Sequence, residues 1–268
     1  MRIALGVEYD GCPFLGWQTQ SGGGAVQDAL EAALTSIAGE PIATTCAGRT
    51  DRGVHARGQV VHFDTQVERP DTAWVRGVNA LLPSAVAVRW SKRMPENFSA
   101  RYSAVARTYR YVILNRSVRP AIDAQQVGWW HVPLDVEAMH SAAQAWIGTH
   151  DFSAFRSSQC QSKTPIRTLA RCDVTRSGER VIFTLTANAF LHHMVRNLVG
   201  ALVYIGSGRE PITWAAHLLE QRERSRAAPT FSAAGLTLMR VTYPAEWALP
   251  EMTDGDAVLP VDSMEFAG

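Results

Sequence analysis

Ala47-Gly48-Arg49-Thr50-Asp51-Arg52-Gly53-Val54-His55-Ala56 runs on into the strand-like segment Gly58-Gln59-Val60-Val61-His62-Phe63. Glycines on either side of Asp51 let the backbone turn through positive φ or approach a ligand closely, and Arg49 and Arg52 set cationic groups beside the acid. A turn of this composition can aim Asp51 outward into a cleft. The ordinary role of an aspartate between glycines is an Asx-turn that caps its own backbone. The rest of the chain has to separate the two.

Working outward, Arg2 to Asp10 reads as a strand, and Ala25 to Ala38 as a helix with Val26, Leu30, Ala33, Leu34 and Ile37 on one face. Strands at Ile42 to Cys46 and Gly58 to Asp64 bracket the turn. A helix from Thr72 to Leu82 and a strand from Ala85 to Met94 complete the order β-α-β-β-α-β. Beyond a linker at Pro95 to Ser103 the order recurs: strand Ala104 to Leu114, helix Asp135 to Ile147, strands Arg167 to Thr175 and Arg180 to Ala187, helices Leu191 to Ile205 and Ile212 to Gln221, and strand Leu236 to Tyr243. The expected fold class is α+β, with two ferredoxin-like halves whose strands can join into one mixed, mainly antiparallel sheet. Residues 1–103 form the first half and carry Asp51, 104–247 form the second, and 248–268 form an acidic, irregular tail.

The 268 residues carry 26 Lys and Arg against 25 Asp and Glu, but the charges are unevenly placed. All 26 bases and 19 acids lie up to residue 240, a balance of +7, whereas six acids and no Lys or Arg follow. Of the bases, 24 are arginine, whose planar guanidinium suits phosphates and stacked bases. Such a bias also follows from a GC-rich genome, so the composition permits an RNA partner without requiring one. Cys12, Cys46, Cys160 and Cys172 form no C-x-x-C pair and no zinc spacing, and are expected as free thiols. With neither a long apolar start nor a membrane-length apolar run, the expected location is cytoplasmic, away from membranes.

The turn matches the G-R-T-D-x-G-V-H-A signature of the pseudouridine synthases that modify transfer RNA, and other segments agree in order along the chain. Tyr9-Asp10-Gly11 with Phe14 and Gly16-Trp17-Gln18, the run Ala106 to Tyr111, Asp151 to Phe155, Phe190 to Asn197, and Gly235 to Leu238 all resemble motifs of that family. The likeness runs from about residue 3 to about 247 and is closest to the tRNA pseudouridine synthase A family. It implies a pseudouridine synthase fold with a central catalytic cleft, a homodimer, no cofactor, and action on uridines 38, 39 and 40 of the tRNA anticodon stem-loop.

The resemblance also implies roles for residues. Asp51 is the catalytic carboxylate, which either attacks ribose C1′ or removes the C2′ proton. Arg196 is its cationic partner, and Tyr109 stacks on the uracil or helps take its C5 proton. Arg49 fills the space left by a flipped-out uridine, and Leu238 packs against the other face of the base or simply in the core. An ordinary glycosidase uses two carboxylates, whereas the context of Asp51 supplies arginines. The alternatives from other classes are a non-catalytic RNA-binding protein, a uracil-releasing N-glycosidase, and a pseudouridine synthase with another RNA target. His192-His193 suggests a metal, but neighbouring helical side chains point about 100° apart, so no metal is expected. His55 and His62 look structural, and Trp17, Trp74, Trp129 and Trp130 fit packing better than base stacking.

Overall fold

The computed structural model describes residues 1–250, so most of the expected acidic tail lies outside the described residues. The described chain divides into two compact units, Met1–Val105 together with residues 238–250, and Ala106–Thr237. The final strand was assigned from sequence to the second half. All but its first two residues group with the first unit instead.

The first unit is built on β1 (Arg2–Tyr9), which pairs antiparallel with both β3 (His55–Asp64) and β4 (Val86–Met94). A strand with two neighbours and two covered faces is buried along its length. Ile3, Leu5 and Val7 fill one face, and at Gly6 the Trp90 indole lies where a Cβ would stand. The short β2 (Thr44–Cys46) pairs with Val61–Phe63 of β3, and β10 (Leu236–Thr242) adjoins the same strand. Gly58 permits that approach, because a Cβ there would overlap the Met239 carbonyl.

Helix α1 (Val26–Ala38) buries Val26, Leu30, Ala33, Leu34 and Ala38. It begins where the Asp28 carboxylate accepts the Ala25 N–H at 2.8 Å and ends at Gly39 in the left-handed region, φ 77°. The helix expected over Thr72 to Leu82 is instead a π turn, Ala73–Gly77, followed by the short α2 (Val78–Leu81). Trp74 packs edge-on to Phe63 in this wide turn, and Gly77 allows Ile37 of α1 to come close.

In the second unit β5 (Ala106–Asn115) pairs antiparallel with β9 (Arg180–Ala187), β9 with β8 (Ile166–Ser177), and β8 with β7 (Gly148–Asp151). The parallel strand β6 (Gly128–Trp130) on β5 makes the sheet mixed. Neither β6 nor β7 was expected, since three or four residues are too few for an alternating pattern to register. The long helix α4 (Met194–Gly206) is buried almost all round, beside α3 (Val136–Ala143) and α5 (Trp214–Gln221). The Trp146 indole donates to the Ala215 carbonyl at 2.8 Å, and Trp17 and Trp74 are also buried, so these tryptophans serve packing. Among the described residues no helix is long and apolar enough to cross a membrane, and all four cysteines are free thiols.

His62 on β3 is buried and accepts the Ala100 N–H through Nδ1 at 3.1 Å, which requires the neutral ring. Burial pushes its pKa below the ordinary value and the charge of Arg2 adds to this, against a smaller opposing effect of Asp64. The unfolded chain therefore binds the proton more readily. The stability this group contributes is present above about pH 6.5 and lost as pH falls through the folded pKa. Urea midpoints measured from pH 7.5 to 5 should fall more steeply for the native protein than for His62→Gln; equal slopes would contradict this assignment.

Candidate active site

Asp51 sits in the connection from β2 to β3, and buried groups of the first unit hold that connection. Gln59, fully buried on β3, points its amide back at the turn: Nε2 donates to the Gly48 carbonyl at 2.6 Å and Oε1 accepts the Gly48 N–H at 3.4 Å. The same Nε2 lies 3.4 Å from the Tyr9 hydroxyl, which shares a 2.8 Å hydrogen bond with the buried Thr50 Oγ1. Thr50 O accepts the Trp17 N–H at 3.0 Å, and Trp17 packs 5.8 Å from Tyr9.

Two glycines let the amino-terminal segment close on this turn. A Cβ at Gly16, where φ is 106°, would press on Thr50 O and Arg52 N, and one at Gly11 would overlap the Val54 carbonyl. On the far side the turn closes through Val54 N–H to Asp51 O, 3.1 Å, with Gly53 at φ 77°. Thr50 is thus anchored inward, Asp51 is half-buried, and Arg49 and Arg52 are exposed. The motifs around Tyr9, Gly11, Gly16 and Trp17 are the scaffold of the Asp51 turn.

His55 is structural here, as its sequence suggested. Its Nδ1 lies 3.2 Å from the Gly11 N–H and 3.0 Å from Asp10 Oδ1. Ligand atoms of Asp10, Cys12 and His55 fall within 4.8 Å of one another, a spacing a metal could use. Burial, reinforced by a hydrogen bond to Asp10, pushes the Cys12 thiol up to about 12, so at neutral pH it holds its proton. The Asp10 carboxyl stays below its usual range: burial works against this, and the hydrogen bonds from Cys12 outweigh it. A closed hydrogen-bonded group explains these residues better than an open coordination site.

In the second unit Tyr109 lies buried on β5, edge-on to Phe190 at 5.1 Å. Arg107 donates to the Asn188 carbonyl at 2.9 Å. Arg196 lies in the first turn of α4, with Nε donating to the Phe231 carbonyl at 2.8 Å and its own carbonyl accepting the Phe231 N–H at 3.3 Å. Phe231 packs against Tyr111, two residues along β5 from Tyr109, and the Arg196 charge reaches the Tyr111 hydroxyl, whose pKa burial raises. Next to Arg196 the fully buried Asn197 uses both ends of its amide. Its Nδ2 donates to Phe155 O at 2.7 Å, and Oδ1 accepts from Thr230 Oγ1 at 2.7 Å and from Arg224 Nη2 at 3.0 Å. Leu238 on β10 is fully buried, the place of a core residue.

The start of α4 corrects the sequence reading. The helix begins at Met194, not Leu191, because His193 takes the left-handed conformation, φ 64°. His192 and His193 therefore precede the helix, and their rings lie 4.0 Å apart with planes tilted by 38°. The helical separation of about 100° does not apply to them.

The family model described as tRNA pseudouridine synthase matches residues 6–103 and 142–244. The chain belongs to the tRNA pseudouridine synthase family. A relative from Burkholderia ambifaria is 59% identical over 250 residues, 93% of either chain, and one from Paraburkholderia xenovorans is 56% identical over 254 residues, 95% of this chain and 94% of the relative. One from Dechloromonas aromatica is 54% identical over 254 residues, 95% of this chain and 97% of its own. All three carry the name tRNA pseudouridine synthase A. Uridine and pseudouridine have the same atoms, so an enzyme of this family is an isomerase and needs no redox change.

Gln59 and Asn197 escaped the sequence reading. The available signal was a neutral amide inside an apolar run: Gln59 directly before Val60 and Val61, and Asn197 directly before Leu198 and Val199. Gln59→Leu keeps the volume but leaves the polar groups of Gly48 without their partner, at about 1–3 kcal/mol. The urea midpoint should drop accordingly. Single-turnover pseudouridine formation should slow by roughly 10–100-fold as the turn loses its fixed position, and a wild-type rate would show that the clamp does not set the geometry of Asp51.

Proposed function

We propose that this enzyme, as a homodimer in the cytoplasm, converts uridines 38, 39 and 40 of the tRNA anticodon stem-loop to pseudouridine, with Asp51 acting on the ribose of a flipped-out nucleotide. The observation that carries the reading is the anchored turn, which places one half-buried carboxylate between buried Thr50 and exposed arginines. The reaction breaks the bond from uracil N1 to ribose C1′, turns the base, and joins C1′ to C5. One carboxylate suffices, by attacking C1′ or by removing the C2′ proton.

Arg196 would hold Asp51 ionised as water leaves, because a desolvated carboxylate without a cation takes up a proton. Its Nε hydrogen bond to the Phe231 carbonyl holds the guanidinium. Tyr109, with its ring set by Phe190, would face the uracil, and its hydroxyl could carry the C5 proton away. Exposed Arg49, two residues before Asp51, would enter the space the nucleotide leaves, where a guanidinium can both stack and hydrogen-bond. Unstacking costs a few kcal/mol, offset by such contacts and by arginine–phosphate pairs.

Asp51→Asn keeps the shape of the turn and removes the charge. Carbodiimide labelling of the product should find pseudouridine formation abolished, while tRNA affinity stays within a few-fold of wild type, because affinity rests on phosphate contacts. Substantial residual turnover would remove Asp51 from its role.

A further inference from the structure

The four cysteines are not alike. Burial raises the thiols of Cys46 and Cys172, and that of Cys12 stands at about 12. Cys160, half-exposed in the loop between Phe155 and β8, moves the other way. Burial works against ionisation there too, but it is outweighed by the N–H groups of Ser162 and His192 and by the Arg156 guanidinium, all of which favour the thiolate. The His192 N–H lies 3.5 Å from Sγ, and Ser157 N–H returns to the His192 carbonyl at 3.0 Å.

Two arginines hold the loop around this sulfur. Arg156 Nη2 donates to Cys160 O at 2.9 Å and Ser162 O at 2.7 Å. Arg167 is only 9% exposed; its Nη1 donates to the carbonyls of Thr164 and Ile166, and its Nη2 to Ser162 Oγ. Its Nε is buried with no hydrogen-bond partner. Burial weakens the Arg167 charge, and the group that opposes this effect is Cys160. A buried, unpartnered guanidinium N–H is expensive unless an anion stands nearby. Among the described residues no carboxylate hydrogen-bonds to either arginine in the contacts of this loop, and the charges of both act on the Cys160 sulfur.

We propose that Cys160 is a modification site: a thiolate held in an anion hole made by Arg156, Arg167 and the N–H groups of Ser162 and His192, reactive toward small hydroperoxides and soft electrophiles. With hydrogen peroxide, an Sγ electron pair attacks one oxygen, an S–O bond forms and the O–O bond breaks. Hydroxide leaves and is protonated to water. Sulfur loses two electrons and the peroxide gains them, giving a sulfenic acid. The added oxygen is an acceptor of the kind that the Arg167 Nε–H lacks. The reaction uses no residue assigned to isomerisation and stands apart from the family reading.

The full-length native protein is treated with limiting iodoacetamide across pH 5.5–9 and its cysteine peptides are quantified by mass spectrometry. An ordinary thiol is about 1% thiolate at pH 6.5. Cys160 should be alkylated about ten-fold or more faster than Cys12 there, with its rate levelling off at lower pH than free cysteine. Peroxide with dimedone should place the sulfenic adduct on Cys160, and Arg167→Gln should return alkylation to the rate of an ordinary thiol. A Cys160 rate no higher than that of Cys12, a rise only near pH 8.5, or a dimedone adduct missing from Cys160 would each overturn the proposal. All three readouts come from the unmodified sequence, so they decide the matter even if the arginine variant does not fold.

Discussion

The side-chain amide of Gln59 holds both the carbonyl and the N–H of Gly48, and with the Tyr9–Thr50 hydrogen bond it pins the turn that presents Asp51. Each bond is worth only about 1 kcal/mol net, but a buried polar group left without its partner costs more. Because Gln59 is fully buried on β3 and Tyr9 buried at the end of β1, the position of Asp51 follows from the central strands of the first unit. Gly11 and Gly16 belong to the same constraint: their lack of a side chain lets the amino-terminal segment close against Val54 and Thr50.

The second unit reaches a comparable result by other means. The left-handed residue His193 starts α4 abruptly, and Arg196 in its first turn is tied to Phe231 through side chain and backbone. Asn197 ties its amide to Phe155, Arg224 and Thr230. A buried polar network of this kind specifies one arrangement and penalises others. In both units the groups proposed to meet the substrate stand beside a buried amide engaged in holding the local backbone.

Sequence made the β-α-β-β-α-β order legible because α1, β1, β5, β8 and β9 are long and strongly patterned. The motif segments were legible because glycine and charge mark turns. The start of α4 was not, since nothing about a histidine announces a positive φ. The π turn at Ala73–Gly77 depends on how Trp74 meets Phe63 and Gly77 meets Ile37, contacts between separate elements. β6 and β7 owe their existence to neighbours rather than to their own three or four residues. Asp51, Arg196, Tyr109 and Arg49 could be named from motif wording, but what holds them, such as the 35-residue separation from Arg196 to Phe231, is nonlocal and invisible to any local pattern.

The central claim, that the anchored carboxylate serves an isomerisation at ribose C1′ in which the base is never lost, has one direct measurement. tRNA tritiated at uracil C5 is incubated with the enzyme, and released tritium, pseudouridine and free uracil are followed together. The account predicts tritium appearing in water in step with pseudouridine and no free uracil, because joining C5 to C1′ expels the C5 hydrogen. Free uracil with tritium still attached, or tRNA binding without any tritium release, would contradict it.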